Sequence, residues 1–372
     1  MKICFVAHSV ISCWNNGNAH FLRGVMTSLQ ALGHEVSVLE PAEGWSRTNL
    51  LMDAGEAALA ENGARFRHLA PCLYESVPQA LDLLATVEPD LVVVHEWNAP
   101  GLVNAIGARR RAGERFLLLF HDTHHRALSQ PEEISRFDLS GYDGILVFGA
   151  CLERIYQRQG WGRRVWTWHE AADTRMFHPL SDSSPEGDLV WIGNWGDGER
   201  GAELREFLIE PAAQLALRTT VHGVRYPEDA LAALERASIK YAGWLPNHRV
   251  PECFARHRVT VHVPRRPYAE ALPGIPTIRV FEALACGIPL VSAPWRDDEG
   301  LFPAGAYLTA HDGDQMRRHL TAVLADRDLA EALRQKGLTA IRANHTCDHR
   351  AAELLSIYAS LAGEREAEEA TP

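Results

Sequence analysis

The feature that most constrains the fold is a repeated alternation of short apolar segments with amphipathic ones. In residues 1–170, runs rich in Val, Ile, Leu and Phe are separated by stretches rich in Ala, Leu and Arg with helical spacing. Continuous apolar strands separated by helices are typical of a parallel sheet that is buried on both faces. Strands are expected at 2–7, 35–40, 90–95, 116–120, 144–149 and 164–168, and helices near 18–32, 49–62, 76–87, 99–112 and 150–159.

The same alternation begins again in the second half of the chain. It follows a polar segment rich in Pro and Ser, residues 171–187, whose composition is typical of an interdomain linker. Strands are expected at 189–194, 219–224, 239–244, 259–264, 288–294 and 306–310, and helices near 201–217, 227–237, 249–257, 277–286, 313–325 and 328–343. The sequence therefore predicts an α/β protein with two Rossmann-like parallel-sheet domains, 1–170 and 188–345, facing each other across a cleft. Two independent modules are the less favoured alternative. A helix near 347–361 and an acidic tail, expected to fray, make up the last segment, 346–372.

The length and net charge of the chain limit its number of domains and the kinds of partner that it can bind. The chain has 372 residues, which is too long for one compact core and sufficient for two domains. Its formal net charge of −11 disfavours non-specific binding to nucleic acid or to anionic membranes. A phosphate-bearing ligand must therefore meet a local cluster of basic residues, and the expected partners are small molecules rather than nucleic acid.

The cysteines and the hydropathy pattern predict a cytoplasmic protein. Seven cysteines are scattered along the chain without a CxxC pair, and several lie in apolar runs. In such a pattern buried free thiols are more common than metal ligands, and free thiols are typical of a reducing compartment. No stretch approaches the roughly 20 apolar residues that a membrane-spanning helix needs, so no transmembrane segment is expected.

One helix of the second domain carries a charged pair in an otherwise apolar sequence. The stretch GIPTIRVFEALACGIPLVSAPW, residues 274–295, predicts a helix near 277–286 that is capped by Thr277 and ends before a glycine. Thr277 and Ile278, at its start, are candidates for donor contacts. Arg279 and Glu282 are three residues apart and share one face of that helix. Taken alone, this pair fits a surface ion pair as well as it fits a ligand site.

Two further arginines favour a ligand at this helix start. Arg265 and Arg266 follow a buried strand in the stretch VPRRPY, where a charge is costly without a partner. Three arginines around a helix N-terminus in an acidic chain are best explained by a phosphate group. Because successive strand residues face opposite ways, only one of the two adjacent arginines is expected to point towards the ligand.

Two more strand exits of the second domain carry candidates for donor contacts. In IGNWGDGERG, residues 192–201, Gly193 and Asn194 follow a strand, and glycines allow the backbone to approach a ligand closely. Strand-to-helix loops are often rich in glycine, so this signal alone is weak. In AGWLPN, Trp244 and Leu245 are candidates for contact with a nucleotide base, although tryptophans in such loops are equally often packing residues.

Histidines follow three strands of the first domain. They are His8, His95 and His121, with Glu96 and Asp122 directly after two of them. Histidines gathered at one edge of a sheet can bind a metal, but the irregular spacing here disfavours that. A structural histidine with satisfied hydrogen bonds and a histidine that contacts substrate are the two remaining interpretations.

These motifs resemble a known enzyme family. The stretch 274–295 resembles the nucleotide-sugar-binding helix and strand of group-1, family-four-like glycosyltransferases with the GT-B fold. YAGWLPNHRVPECFARHRVTVHVPRRPY is similar to the base-binding strand and the segment before that helix, and TWHEAADTRMFHP to the interdomain stretch. The branch that the chain resembles is that of the CgeB-like (spore maturation protein) glycosyltransferases. The resemblance is strongest over residues 165–360.

The resemblance implies roles for individual residues, and it is incomplete. Glu282 matches the second of two glutamates in the family motif, which holds the ribose hydroxyls. The first falls on Gly274, so a residue that often contacts the transferred sugar is missing. The Arg/Lys pair that usually binds the diphosphate is also not recognisable in GNWGDGERG. Arg265, Arg266 and Arg279 would have to take that role.

The resemblance also implies the roles of the first domain. SCWNNGNAHFLRG, residues 12–24, resembles the acceptor-side loop, so Asn16, Gly17 and Asn18 are candidate acceptor-side residues together with His95 and Glu96. His121, with Asp122 close by, is the candidate catalytic residue that positions the donor sugar. The C-terminal helix is expected to cross back and pack on this domain.

The sequence therefore predicts a glycosyltransferase that moves a sugar from a nucleoside diphosphate to an acceptor nucleophile. The resemblance implies that it retains the anomeric configuration and needs neither a metal nor a cofactor, with the nucleotide sugar as substrate. Two rivals are a nucleotide-sugar epimerase, which needs no acceptor, and a non-catalytic nucleotide-sugar or glycan-binding protein, which the missing glutamate makes plausible.

Overall fold

The computed structural model describes residues 1–180 and 185–369 and divides them into two compact units. The first unit is Met1–His169 together with the C-terminal helix, and the second is Glu170–Thr346. The residues expected to form an interdomain linker are counted within the second unit, apart from 181–184, which lie outside the described residues.

Each unit contains one sheet in which every strand is parallel to its neighbours. The strands are β1 (Lys2–Val6), β2 (Glu35–Pro41), β3 (Cys72–Tyr74), β4 (Leu91–His95), β5 (Leu117–Asp122), β6 (Gly144–Val147), β7 (Val165–Thr167), β8 (Gly187–Ile192), β9 (Thr219–His222), β10 (Lys240–Gly243), β11 (His257–His262), β12 (Leu290–Ser292) and β13 (Leu308–Thr309). The order is β3-β2-β1-β4-β5-β6-β7 in the first unit and β10-β9-β8-β11-β12-β13 in the second. The predicted fold class of two Rossmann-like parallel-sheet domains is confirmed.

Helices connect the strands and cover both sheets. They are α1 (Gly17–Ala31), α2 (Trp45–Arg65), α3 (Val77–Val87), α4 (Pro100–Arg111), α5 (Arg126–Ser129), α6 (Pro131–Ile134), α7 (Ala150–Gln159), α8 (Gly201–Leu204), α9 (Glu210–Gln214), α10 (Glu228–Arg236), α11 (Val250–Ala255), α12 (Ile278–Cys286), α13 (Gly313–Ala325), α14 (Arg327–Asn344) and α15 (Cys347–Glu369). A π-helical segment, Arg205–Ile209, joins α8 to α9, and another, Pro267–Ala271, precedes α12. No described helix is long and apolar enough to cross a membrane.

The central strands of each sheet consist of apolar runs, because helices cover both faces of these strands and shield most of their side chains from water. All five residues of β4 and all six of β5 are buried, as their continuous hydrophobic sequence requires. Strand β3 was not predicted, because it has only three residues, two of them exposed at the edge of the sheet. Polar side chains can therefore enter these sheets mainly at the ends of the strands.

The C-terminal helix packs on the first unit through contacts with α1 and with the end of β7. The hydroxyl of Ser28 donates to Asp348 over 2.6 Å, and the indole Nε1 of Trp168 donates to the carbonyl of Arg350 over 3.0 Å. The helix reaches Glu369, beyond the predicted end at 361, and so includes most of the tail that was expected to fray. Residues 370–372 lie outside the described part of the chain.

Helix α4 and the turn Leu139–Gly141 approach each other so closely that their backbones touch. A Cβ atom built on Gly141 would lie 2.1 Å from the carbonyl oxygen of Gly107. A backbone atom cannot move aside as a side chain can, so only glycine fits at position 141.

We therefore expect Gly141→Ala to destabilise the protein by about 1–3 kcal/mol, the usual cost of overpacking a tight site. Gly101→Ala is the matched control, because an added Cβ there meets no atom within 4 Å and the residue lies in α4. The control substitution should leave the stability unchanged or raise it slightly, since alanine has a higher helix propensity than glycine. Chemical denaturation of both variants measures the difference, and equal stabilities would contradict the close approach.

Candidate functional site

In the second unit, helix α12 begins without a side-chain cap. Thr277 occupies the N-cap position, as predicted, but its side chain makes no capping hydrogen bond, contrary to expectation. The preceding turn is held differently, because the N–H of Gly274 donates to the carbonyl of Arg296 over 2.8 Å. A helix start without a side-chain cap offers its first backbone N–H groups to an anionic ligand.

Three arginines lie around this helix start, and one of them was missed in the sequence. Arg200, at the end of the glycine-rich exit after β8, is buried, and its guanidinium donates to the carbonyls of Val263 and Asn194 over 3.1 and 2.7 Å. Burial, then the positive charge of Arg265, and more weakly that of Arg279, lower the pKa of Arg200 to about 10. These mutually repelling guanidinium groups form a local basic cluster, which we call the arginine cluster.

The two adjacent arginines differ in their surroundings. Arg265 is less than a quarter exposed and donates to Glu199 over 2.8 Å. Arg266 is more exposed and turns to Glu203, to which it donates over 2.6 Å. Both lie beyond the end of β11 rather than on the strand. The expectation based on strand alternation therefore does not apply to them, but they pair with different carboxylates, and Arg266 is not part of the arginine cluster.

Glu282 is completely buried on α12 and is held by two partners. It forms an ion pair with Arg279, one turn away, and its Oε1 accepts from the Nδ2 of Asn247 over 2.9 Å. Sequence reasoning missed Asn247, although it closes the stretch AGWLPN from which Trp244 and Leu245 were taken. A buried carboxylate needs such partners, because an unpaired one would be very costly.

A second buried carboxyl group, Glu170, also lies within the electrostatic reach of Glu282. Glu170 is 4% exposed. Burial, followed by the negative charge of Glu282, raises the pKa of Glu170 to about 8, and Arg279 opposes this shift. Glu170 is therefore mostly protonated at neutral pH, so Arg279 does not have to balance two full negative charges. The residue opens the second unit, in a stretch that the sequence indicated only as an interdomain segment.

The other predicted donor residues lie on the carboxyl-end loops of the same sheet. The carbonyl of Gly193, just after β8, accepts from Trp191 and from the hydroxyl of Tyr226. Asn194 binds Arg200 through its carbonyl, as described above. Ile278 is buried in the first turn of α12, and Trp244 and Leu245 are partly buried after β10.

In the first unit, two histidines stand side by side at the carboxyl ends of β4 and β5. His95 and His121 are direct partners in the parallel pairing, and their ring centroids are 5.2 Å apart. Both are buried, and desolvation lowers the pKa of His121 to about 3, which makes the ring neutral. Within the described residues, neither ring nitrogen of His121 has a hydrogen-bond partner. This neutral imidazole keeps an unused donor and an unused acceptor, both closed off from solvent, for any polar group that reaches the end of β5.

Asp122, the other candidate catalytic residue, is fixed by hydrogen bonds inside the first unit. Its Oδ2 accepts from the hydroxyl of Tyr156 over 2.6 Å, and its Oδ1 accepts from the N–H of His124 over 2.9 Å. Burial and the neighbouring charge of Glu96 raise the pKa of Asp122 well above its usual value. The two hydrogen bonds fix this carboxyl group, which follows His121 on β5 and therefore projects from the opposite face of the strand.

Glu96 is a buried anchor for the loop after β5. Its Oε1 accepts from the N–H of Thr123 over 2.9 Å, and its Oε2 forms an ion pair with Arg126. The guanidinium of Arg126 lies over the indole ring of Trp97, 4.1 Å from its centroid. His95 uses its Nδ1 to accept from the N–H of Trp97 and its Nε2 to contact the hydroxyl of Thr123.

The predicted acceptor-side loop adjoins the same strand ends. Asn16 caps α1 by accepting from the N–H of Asn18, and its amide donates to the Nε2 of His8 over 3.2 Å. Gly17 opens α1, and the Asn18 side chain donates to the hydroxyl of Thr123. The loop residues Asn16 and Asn18 are thus joined to the ends of β1 and β5.

Glu40, which the sequence analysis did not single out, holds the first part of this loop. Its buried carboxylate accepts from the backbone N–H groups of Val10, Ile11 and Ser12 at 2.6, 3.0 and 3.2 Å. The available signal was a glutamate at the end of an apolar strand. In the described ranges, no group of three or more His, Cys, Asp or Glu side chains is arranged to hold a metal ion.

Two domains, each with one parallel sheet, fit the GT-B class of fold, and comparisons with known proteins agree. Residues 203–356 match a family model described as "Glycosyl transferase-like". No curated protein sequence matches the chain. The similar solved structures include sucrose-phosphate synthase from Thermosynechococcus elongatus, at 15% identity and TM-score 0.68, covering 98% of this chain and 100% of that one.

Two other solved structures have the same fold. A glycosyltransferase from Rickettsia africae is 10% identical with TM-score 0.68, covering 97% of this chain and 98% of that one. Anabaena HepE, solved in complex with UDP and glucose, is 14% identical with TM-score 0.65, covering 97% and 100%. The match over residues 203–356 and the fold shared with solved glycosyltransferases support the sequence-based prediction of a glycosyltransferase.

Glu170 leads to a testable pH dependence. Its folded-state pKa, about 8, is above the ordinary value of 4.5. The folded protein thus binds the proton more tightly than the unfolded chain does. The stability that this contributes is lost as the pH rises from 4.5 to about 8. Glu170→Gln cannot titrate, so its melting temperature relative to wild type should increase between pH 5 and pH 9. Differential scanning fluorimetry across this range measures the difference, with the exposed-site variant Glu56→Gln as control. Parallel pH profiles for wild type and Glu170→Gln would contradict the assignment.

Proposed function

We propose that the protein is a glycosyltransferase that binds a nucleoside-diphosphate sugar in the second unit and an acceptor nucleophile in the first. The observation that carries the proposal is the start of α12. There, a helix without a side-chain cap lies beside the arginine cluster of Arg200, Arg265 and Arg279, and it carries the buried carboxylate of Glu282 four residues further on. This combination offers an anion site next to an acceptor of hydrogen bonds.

The arginine cluster fits the diphosphate of such a donor. In the transfer, a bond forms between the acceptor oxygen and the anomeric carbon, and the bond from that carbon to the diphosphate oxygen breaks. The electron pair leaves with the diphosphate, and the acceptor proton passes to the departing phosphate or to water. Guanidinium groups fixed before the reaction stabilise the charge that develops on the leaving group. On this proposal the arginines supply that charge and the reaction is metal-independent.

Glu282 fits the ribose of the same donor. A carboxylate is acceptor-only and binds two adjacent hydroxyl groups well. Asn247 and Arg279 hold the Glu282 side chain in one orientation, so little rotamer freedom has to be lost when a ligand binds. Trp244 and Leu245, on the loop that also supplies Asn247, are proposed to contact the base.

We propose UDP as the nucleotide, because the Anabaena structures with this fold contain UDP, UDP with glucose, or UDP-glucose. Retention at the anomeric carbon and membership of the CgeB-like branch are proposed from the sequence resemblance. The seven cysteines are free, which supports a reducing compartment and a cytoplasmic location.

The experiment that tests the function follows UDP release from UDP-glucose and from other UDP-sugars, with and without a panel of acceptor alcohols and glycosides. A glycosyltransferase releases UDP faster with an acceptor and forms a glycosylated product. An epimerase converts the sugar without an acceptor and releases no UDP. A binding protein would shift its melting temperature with UDP-sugar, by mass action, without any turnover.

Arg265 and Arg266 are neighbours in sequence, so alanine substitutions at the two positions provide a matched comparison that tests the donor site. Arg265→Ala should weaken UDP binding by about 10- to 150-fold, which corresponds to the loss of roughly 1.5–3 kcal/mol for hydrogen bonds to a charged group. Arg266→Ala should change the affinity by less than about threefold, because Arg266 pairs at the surface with Glu203 and such pairs contribute little. Titration calorimetry with UDP measures both, and equal effects of the two substitutions would remove Arg265 from the site.

His121→Ala should separate sugar transfer from nucleotide binding. A neutral imidazole can hydrogen-bond a donor-sugar hydroxyl and fix the ring for attack, so its removal should reduce kcat for transfer by at least about tenfold. The affinity for UDP, which depends on the second unit, should stay within about twofold of wild type. Steady-state kinetics and calorimetry test this together. If the variant transfers sugar at the wild-type rate, the role of His121 is structural.

A further inference from the structure

Trp97 is an exposed tryptophan in an otherwise buried segment. It lies two residues after β4, at the point in the first sheet where the strand order reverses between β1 and β4. The indole is 41% exposed, whereas the flanking residues His95, Glu96 and Asn98 are at most 4% exposed. Ligands of parallel α/β sheets bind at this switch point. Single exposed aromatic residues are common on protein surfaces, so it is the position of Trp97 at the switch point that points to a ligand.

The ring of Trp97 is held in place although it is exposed. One face is covered by the guanidinium of Arg126, 4.1 Å from the ring centroid, and the ring of His124 approaches edge-on at 5.1 Å. Arg126 is itself fixed by the buried carboxylate of Glu96. The chain therefore maintains a largely buried ion pair beneath an indole that stays accessible to solvent. Such support orders an aromatic platform before any ligand arrives.

Beside this platform, His8 presents a hydrogen-bond donor that nothing in the described residues accepts. The rings of His8 and Trp97 are 6.2 Å apart. The amide oxygen of Asn16 accepts from the N–H of Asn18, which orients the amide nitrogen of Asn16 towards the Nε2 of His8. Nε2 is thus an acceptor, and the neutral ring carries its proton on Nδ1. Burial and the charge of Arg126 lower the pKa of His8 to about 4, and Nδ1 has no partner among residues 1–180 and 185–369.

We propose that Trp97 and His8 form the acceptor subsite of the proposed transferase and that the acceptor is a saccharide. The apolar C–H face of a pyranose ring stacks on the indole, and the Nδ1–H of His8 donates to an oxygen of the same ring or of a hydroxyl group. The proposal rests on the proposed function, because it takes the first unit as the acceptor side.

The surroundings favour a saccharide over a flat aromatic alcohol. An aromatic alcohol can also stack on the indole, but it pairs the donor of His8 only if its single hydroxyl oxygen happens to lie on the side that faces the histidine. A sugar ring has an apolar face and several oxygens on its rim, and so it satisfies both groups. The side chain of Asn16 adds a further polar group at His8, and the hydrogen-bonded side chains of Asn18 and Thr123 add polar groups at the end of β5.

The experiment measures binding of simple glycosides to the full chain in the presence of UDP. The probes are the methyl α- and β-glycosides of glucose, galactose and N-acetylglucosamine, and the aromatic arm is 4-methylumbelliferone. Saturation-transfer NMR identifies the bound probes, and titration gives each Kd. We expect at least one glycoside to bind wild type and Trp97→Ala to raise its Kd by at least about tenfold, as removal of a central aromatic contact does. Trp97→Phe should retain binding within about threefold, because it keeps an aromatic face.

The control is Leu32→Ala, which removes another exposed apolar side chain of the first unit, at the C-terminal end of α1, and should leave glycoside binding unchanged. His8→Ala should also raise the Kd of the same glycoside. Unchanged glycoside affinity in Trp97→Ala, binding of 4-methylumbelliferone alone, or no glycoside binding at all would each overturn the proposal. UDP affinity and UDP-glucose turnover are measured in parallel. Normal donor binding with no glycoside binding overturns the acceptor subsite alone, whereas no donor binding in wild type overturns the proposed function.

Discussion

The main constraint on this protein is that both sheets are parallel and covered on both faces. Central strands such as β4 and β5 have no side open to water, so their side chains must be apolar along their length. Charged and polar side chains can be accommodated where the strands end. The strand ends accordingly carry His95, His121 and Asp122 in the first unit. In the second unit the arginine cluster lies on the loops beyond β8 and β11 and on the first turn of α12.

The polar groups at these edges depend on one another because most of them are buried. Glu282 is balanced by Arg279 and Asn247, Glu96 by Arg126 and Thr123, and Glu40 by three backbone N–H groups. Removing one partner would leave its counterpart with an uncompensated buried charge. Each carboxylate therefore fixes the conformation of a loop through its hydrogen bonds and ion pairs. The loops in turn carry the side chains that are available to ligands.

The sequence predicted the fold well, because it depends on periodicity, which is a local property. Apolar runs and helical spacing located twelve of the strands, and the missed strand β3 is too short to produce a pattern. Glu282 was found because a carboxylate in the apolar face of a helix is conspicuous. Three other residues were not found: Asn247, Glu170 and Glu40. Each matters through an interaction with a residue distant in sequence, at a separation of 35 positions for Asn247, 112 for Glu170 and roughly 30 for Glu40. Arg200 was missed because only the folded loop places it near Arg265.

The C-terminal helix gives the chain an unusual order of assembly. The first unit consists of the first 169 residues and of α15, so the second unit is inserted between two parts of the first. During synthesis the contacts of Ser28 and Trp168 with α15 can form only after the entire second unit has emerged. The first unit, although it begins first, is therefore the last to be completed. Until that moment, the surface of α1 that α15 covers, which includes Phe21, is exposed to other molecules in the cell.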